Sequence, residues 1–281
     1  MTAAAVAPTA SVHVRKPRLT FARIAKSEWI KVRSVRSTWL LLVIFAISAL
    51  GITTAMASFA AFRNPEEGEA GVFMGESDAG TALLNLATMA VVYIAMIVVT
   101  VYASLAIGSE YSSGAIRSTL SAAPRRGSVF GAKTFVIAGT SALATAVLIA
   151  AAWAIGAGIL TGRGLNPALT SDGLRQMGLT VVYAIAIALI AVGAGFITRS
   201  TAGGMATVLG LLLVLPMVLN FVPSKVGAYA LAALPDQAAA AMVSNKTDYL
   251  IGGVWGAVAV LAGWVVLAIV GGYATFTRRD A

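Results

Sequence analysis

The chain has no cysteine and a single histidine, His13, among 281 residues. Without cysteine there is no disulfide framework, thiolate metal site or Cys nucleophile. His13 lies in an N-terminal tail without hydrophobic periodicity, so a His-centred catalytic site is not expected. Charge is scarce too: 11% of residues are charged, against roughly 25% in soluble domains. The longest polar segment is the N-terminal 37 residues, which leaves no room for a large soluble domain. No HExxH zinc pair or Ser/His/Asp set is present. Residues 127–134 approach a phosphate loop only loosely, because Ala132 separates Gly131 from Lys133. They also run into an apolar helix, not from a strand into a soluble one. The sequence therefore reads as non-enzymatic, with no cofactor.

What fills the chain is apolar sequence, 59% of all residues. Six stretches, 38–62, 83–107, 134–160, 176–197, 202–222 and 250–276, each have about the 20 residues a helix needs to cross roughly 30 Å of hydrocarbon. The expected fold is all-α, a polytopic membrane protein of six transmembrane helices. None of the stretches carries a charge at its centre. Proton- and ion-coupled transporters need such groups, so a substrate moved by this protein would draw its energy from another subunit. Asn85, Gln176, Asn220, Tyr93, Tyr102 and Tyr183 are the main polar side chains at or near membrane depth, and each reads as a helix-packing hydrogen bond ahead of a ligand contact. A cleaved signal peptide is disfavoured, although Ala55-Met56-Ala57 resembles a cleavage site. The apolar run continues past it to Phe62, and 37 residues precede it.

The net charge of +9 is unevenly distributed. Fifteen of the twenty Lys and Arg residues fall on one side of the six-span layout, and eight of the eleven acids on the other. This positive-inside asymmetry places both termini in the cytosol. The basic excess orients the chain and meets anionic lipid; it requires no nucleic acid.

Local patterns add detail. Phe21, Ile24, Ala25, Val32, Val35 and Trp39 share one helical stripe, as expected of an amphipathic helix in the cytosolic interface. Glu28 interrupts that stripe, with Lys31 three residues on. The pair reads either as an i,i+3 ion pair or as a fixed contact with a partner or neighbouring loop. Residues 198–201 form a tight hairpin between spans four and five, and Pro216 bends or breaks span five. Residues 223–249 are apolar for a loop, with two stretches too short to span. Pro235-Asp236 between them can open a helical turn, so short re-entrant or interfacial helices are expected. Residues 63–82 read as an acidic, solvated connection, and Asn245-Lys246-Thr247 matches a glycosylation sequon.

The most specific stretch runs from Gly108 to Lys133. Glu110 and Gly114 lie four apart, residues 115–120 can form a short helix, and Pro124 stops it. Such a helix can transmit a push from a soluble partner, or it can be a solvated connector.

In the order Glu110, Gly114, Arg117, Pro124, Arg125, Lys133, this loop resembles that of the type-two permease subunits of ATP-binding-cassette exporters, especially Ala-rich actinobacterial members. Residues 27–34, with Glu28 and Lys31, are similar to the family's elbow-helix segment. The resemblance covers nearly the whole chain. It implies an elbow helix within residues 1–37, a permease domain over 38–276, a cytosolic tail at 277–281, and a coupling helix between spans two and three. It further implies a bacterial plasma-membrane location, a second permease protomer, membrane lipid around the spans and a separate ATP-binding-cassette ATPase. Glu28, Lys31, Glu110, Gly114, Arg117, Pro124 and Arg125 would form the ATPase-coupling set. A hydrophobic or amphiphilic substrate is favoured by the apolar spans. The alternative is a membrane signalling or scaffold subunit that binds a cytosolic partner without transport.

Overall fold

The computed structural model describes residues 20–62, 79–122, 126–162, 164–165, 167–243 and 250–279. Among them there is no strand. The tail before Thr20, most of the 63–82 connection, Pro124, Arg125 and the sequon lie outside the described residues.

A short helix, α1 (Phe21–Ser34), precedes the first span, α2 (Arg36–Phe62). The other elements are α3 (Ala79–Ser112), α4 (Ala115–Ala122), α5 (Arg126–Thr161) and α6 (Ser171–Thr198). After them come α7 (Thr201–Leu209), a π-helical turn (Gly210–Val214) and α8 (Leu215–Leu219), which form one continuous rod. The chain ends with α9 (Lys225–Ala232), α10 (Pro235–Val243) and α11 (Gly253–Arg279). Six of these rods are long and apolar enough to cross a membrane, and the chain is a multi-pass membrane protein.

The six apolar stretches are all present; the second and third run longer at the basic end than hydropathy predicts. The fifth stops at Leu219 and the sixth starts at Gly253, each three residues inside the expected bound. The second span's helix runs on to Ser112 and the third begins at Arg126, eight residues before the expected start. Helix ends continue past the apolar core because backbone hydrogen bonding, not hydropathy, decides where a helix stops. As a result Glu110 and Lys133 lie on the helices themselves. The expected connection at 63–82 is shortened for the same reason, since α3 already begins at Ala79. The stripe drawn from Phe21 to Trp39 is broken. Val35 is extended (φ −83°, ψ 121°), and the Trp39 indole donates to the Arg33 carbonyl at 2.9 Å across the bend.

The centre of the bundle is α6, which packs against α3, α5 and α11. Its most apolar segment is 72% buried, against 11% for α11 and 22% for α2. Small residues permit this. A Cβ on Gly193 of α6 would collide with the backbone carbonyl of Ala268 on α11, so the two helices meet backbone to backbone. Large aromatics fill the end where α3, α6 and α11 finish and α5 begins. There Phe130, Phe196 and Phe276 stack within 6.0 Å of one another, with Tyr273 and Tyr111 at their edges.

The hairpin between α6 and α7 is as tight as its sequence predicts. Arg199 adopts a left-handed conformation (φ 54°), and the Ser200 hydroxyl caps α7 by accepting from the Gly203 amide. Pro216 does mark an irregularity: the π-helical turn immediately precedes it, and α8 starts with the proline in its first turn. Between Pro223 and Leu250 the chain forms the expected pair of short helices. Ser224 caps α9, Pro235 opens α10, and the two are bent by 73°. The Trp264 indole of α11 donates to the Ala233 carbonyl at 2.8 Å and holds the elbow between them.

Candidate functional site

At the end of the bundle that carries α1, α4 and the α6–α7 hairpin, here called the basic end, α1 lies across the start of α5. Its inward face carries Ile24 and Glu28, both buried, with Ala25, Lys31 and Val32 half-buried. Arg23, Lys26 and Arg33 point outward. A carboxylate in the middle of a buried face requires cations beside it, and α1, α3 and α5 supply a closed set. Lys31 Nζ donates to Glu28 Oε1 at 2.8 Å and to Glu110 Oε1 at 3.0 Å. Lys133 Nζ donates to Glu28 Oε2 at 2.7 Å and closely to Glu110 Oε1. Each lysine bridges both glutamates, and the four charges cancel.

Burial within the quartet is uneven. The Lys133 side chain is 2% exposed and that of Glu28 8%, whereas that of Lys31 is 44% exposed. Burial pushes the Glu28 carboxyl up, but Lys133 and then Lys31 outweigh it, so its pKa falls below the usual carboxylate value. For Lys31, burial acts downward, but the hydrogen bond to Glu28 and the charge of Glu110 raise the net value above that of a free lysine. Glu110 Oε2 is buried and meets no donor among the described residues.

Two residues past Glu110, α3 stops and the chain turns into α4. Gly114 makes that turn with φ +72°, a conformation in which a side chain is strained. No neighbour lies within 4 Å of where its Cβ would be, so the need for glycine is conformational and not steric. Helix α4 is docked by Ile116, which is buried, and by Leu120 one turn on. Arg117, Ser118 and Ser121 are left exposed. Arg117 makes no side-chain hydrogen bond or ion pair among the described residues. At the start of α5, Arg126 donates to the Thr277 carbonyl near the end of α11 at 2.8 Å.

Of the residues singled out in the sequence, Glu28, Lys31 and Glu110 come together, Gly114 is the turn beside them, and Arg117 is separate and outward-facing. Lys133 completes the quartet. It stood in the loop's ordered pattern but not in the coupling set, because the expected third span began one residue after it. The legible signal was a lone lysine between Ala132 and Thr134 at the head of an apolar run.

In the opposite half of the bundle, a cavity of about 670 Å³ lies between α2, α3, α6, the π-helical turn and α10. Asn85 and Gln176 meet on its wall, the Gln176 amide donating to Asn85 Oδ1 at 2.7 Å. Here polar residues do make the packing hydrogen bond expected of them. So does Tyr102 elsewhere in the bundle, 2.8 Å from Thr140 Oγ1.

These features define a class: a six-span helical membrane subunit with a short amphipathic helix pinned by buried ion pairs to the span ends that flank an exposed loop helix. The family described as ABC-2 family transporter protein matches residues 22–281, and the chain belongs to that family. It is a permease of ATP-binding-cassette transport. No curated protein matches the chain.

Proposed function

We propose that this protein is the permease subunit of an exporter of a hydrophobic or amphiphilic compound, driven by a separate ATPase that docks on the basic end. The observation that carries the reading is the quartet. It joins α1 to the end of α3 and the start of α5, so a force applied to α1 or α4 reaches two spans through buried charges. Helix α1 would be the elbow helix, lying in the cytosolic interface, and α4 the coupling helix, with Arg117 facing the ATPase. Glu28, Lys31 and Glu110 would set the position of α4, and Gly114 its angle. The roles of Pro124 and Arg125 rest on the family resemblance alone. Two permease protomers and two ATPase subunits would form the working assembly in a bacterial plasma membrane, with lipid around the outer faces of α2 and α11.

Orientation follows from the Lys/Arg asymmetry. Reporter fusions after Gly75, Arg126, Asn166, Ser200 and Lys246 should read outside, inside, outside, inside, outside. The chain alone should hydrolyse no ATP, because it has no phosphate loop. The deciding experiment is ATP-driven export by the permease reconstituted with its ATPase. Stable complex formation without ATP-dependent movement of any amphiphile would favour a signalling or scaffold subunit instead.

A further inference from the structure

The cavity in the half of the bundle remote from the quartet contains a carboxylate that the coupling reading does not use. Asp236 stands in the first turn of α10, on the cavity wall. Its Oδ2 accepts from the Gln237 side chain at 2.9 Å, while Oδ1 is buried with no donor among the described residues. No lysine or arginine among those residues forms an ion pair with it. The amide dipoles of α10 help hold the charge at the helix start, but they do not neutralise it. A half-buried carboxylate that meets no cation among the described residues, on a wall that also carries Asn85, Gln176 and Tyr183, is costly, and a cation would complete the site.

The rest of the wall suits an organic cation better than a metal ion. Among the described residues no group of three or more His, Cys, Asp or Glu could hold a metal. The lining combines Met89 and Met96 with the ring of Tyr93, apolar and polarisable surfaces that accept the body of an amphiphile. The volume, about 670 Å³, lies within the roughly 300–1,000 Å³ typical of small-molecule sites. Leu212 and Leu213 of the π-helical turn also form part of the wall. Such turns are frequent at functional sites.

We propose that this cavity binds a monovalent organic cation with an apolar body, a protonated amine or quaternary onium, with Asp236 as the counter-charge. Calling that ligand cargo rests on the transport reading above; the binding itself does not. The test therefore uses the full-length permease without any ATPase. Purified in neutral detergent, it is titrated with radiolabelled tetraphenylphosphonium by equilibrium dialysis, and with tetraphenylborate as an anion of matched shape. Saturable binding of the cation is expected, with Asp236→Asn weakening it about ten- to a hundredfold, as loss of a charged contact does. Asp236→Glu should retain most of the affinity, and Met89→Trp, which narrows the cavity and keeps the charge, should weaken it. Competition with choline and with a short-chain phosphatidylcholine distinguishes the source: displacement by both assigns a free solute, and displacement by the lipid alone assigns a headgroup ammonium. Absence of saturable binding, equal affinity in Asp236→Asn, or a preference for the borate overturns the proposal. Cation binding by a permease that fails to couple to an ATPase would leave this site standing while the exporter reading fell.

Discussion

At the basic end of the bundle four charged side chains neutralise one another, whereas in the opposite half Asp236 forms no ion pair among the described residues. Both places put charge where burial penalises it, and they differ in how it is compensated. The quartet balances its charges within the chain, as suits a device that holds three helices in register, although Glu110 Oε2 too meets no donor among the described residues. The cavity leaves Asp236 Oδ1 without a donor among the described residues, which is what the proposed cation would meet. Removing a member of the first should damage the fold; changing the second should alter only what binds.

The sharpest test of that contrast is Lys133→Met. It leaves Glu28 and Glu110 to share the half-exposed Lys31, and breaking a buried ion pair from one side costs about 3–5 kcal/mol. The variant should melt well below wild type in detergent and accumulate poorly in membranes, while Asp236→Asn should melt close to wild type. Equal stability of the two variants would erase the distinction between a structural and a binding charge.

Next in size is the effect on transport. Arg117→Glu changes an exposed side chain, so its cost in stability should stay within about 0.5 kcal/mol. If α4 meets the ATPase, transport and transport-linked ATPase activity should nevertheless fall about ten- to a hundredfold, the equivalent of 1.5–3 kcal/mol in a charged contact. Glu110→Ala should lose transport as well. Unlike a substitution in a solvated loop, it should also lower the melting temperature, because Glu110 bridges both lysines. Ile52→Val, on a partly exposed face of α2, should do neither. Reconstituted export normalised to inserted protein measures all three, and wild-type rates in Arg117→Glu would return α4 to the status of a connector.

Much of this was legible in the sequence, and the reasons differ by region. Spans are written in long apolar runs, so their number and order survived intact. The hairpin at Arg199, the break before Pro216 and the turn at Pro235 are written in residues whose backbone chemistry admits few alternatives. The quartet was half legible. Glu28 reveals itself by interrupting an amphipathic stripe, with Lys31 three residues on, and the i,i+3 pair is realised together with contacts to the ends of α3 and α5. Their union with Glu110 and Lys133 joins residues 79 and 105 positions apart. No local pattern reports a contact at that separation. The cavity was less legible still, because Asp236 reads locally as a helix-start residue, and only the approach of α2, α3, α6 and the π-helical turn to α10 gives it a wall.

A smaller effect is expected at the turn between the quartet and α4. Gly114→Ala meets no steric obstacle, yet it must hold a positive φ, which costs about 1 kcal/mol. If the angle of α4 sets the coupling, ATPase stimulation should fall by more than this change in stability accounts for. A loss of melting temperature with unchanged coupling would confine Gly114 to a conformational role.

The smallest expected effect is that of pH, and its shape discriminates best. Glu28 has its carboxyl pKa lowered in the folded protein, so its stabilisation is present above the unfolded value, near 4.3. That contribution is lost as pH falls through the lower folded value. Lys31 has its pKa raised, so its contribution is complete below the unfolded value, near 10.4. It disappears only as pH rises through the higher folded value. Between about pH 5 and 10 neither group changes its charge, and the melting temperature of the wild type should be nearly flat across that window, falling on both sides. Glu28→Gln removes one of the two carboxylates and with it part of the acid limb, so its melting temperature should start lower at neutral pH and approach the wild-type curve below pH 4. Parallel curves for the two proteins down to acid would mean that Glu28 contributes by packing alone, and that the quartet is not the charged tie that distinguishes this end of the bundle from the cavity around Asp236.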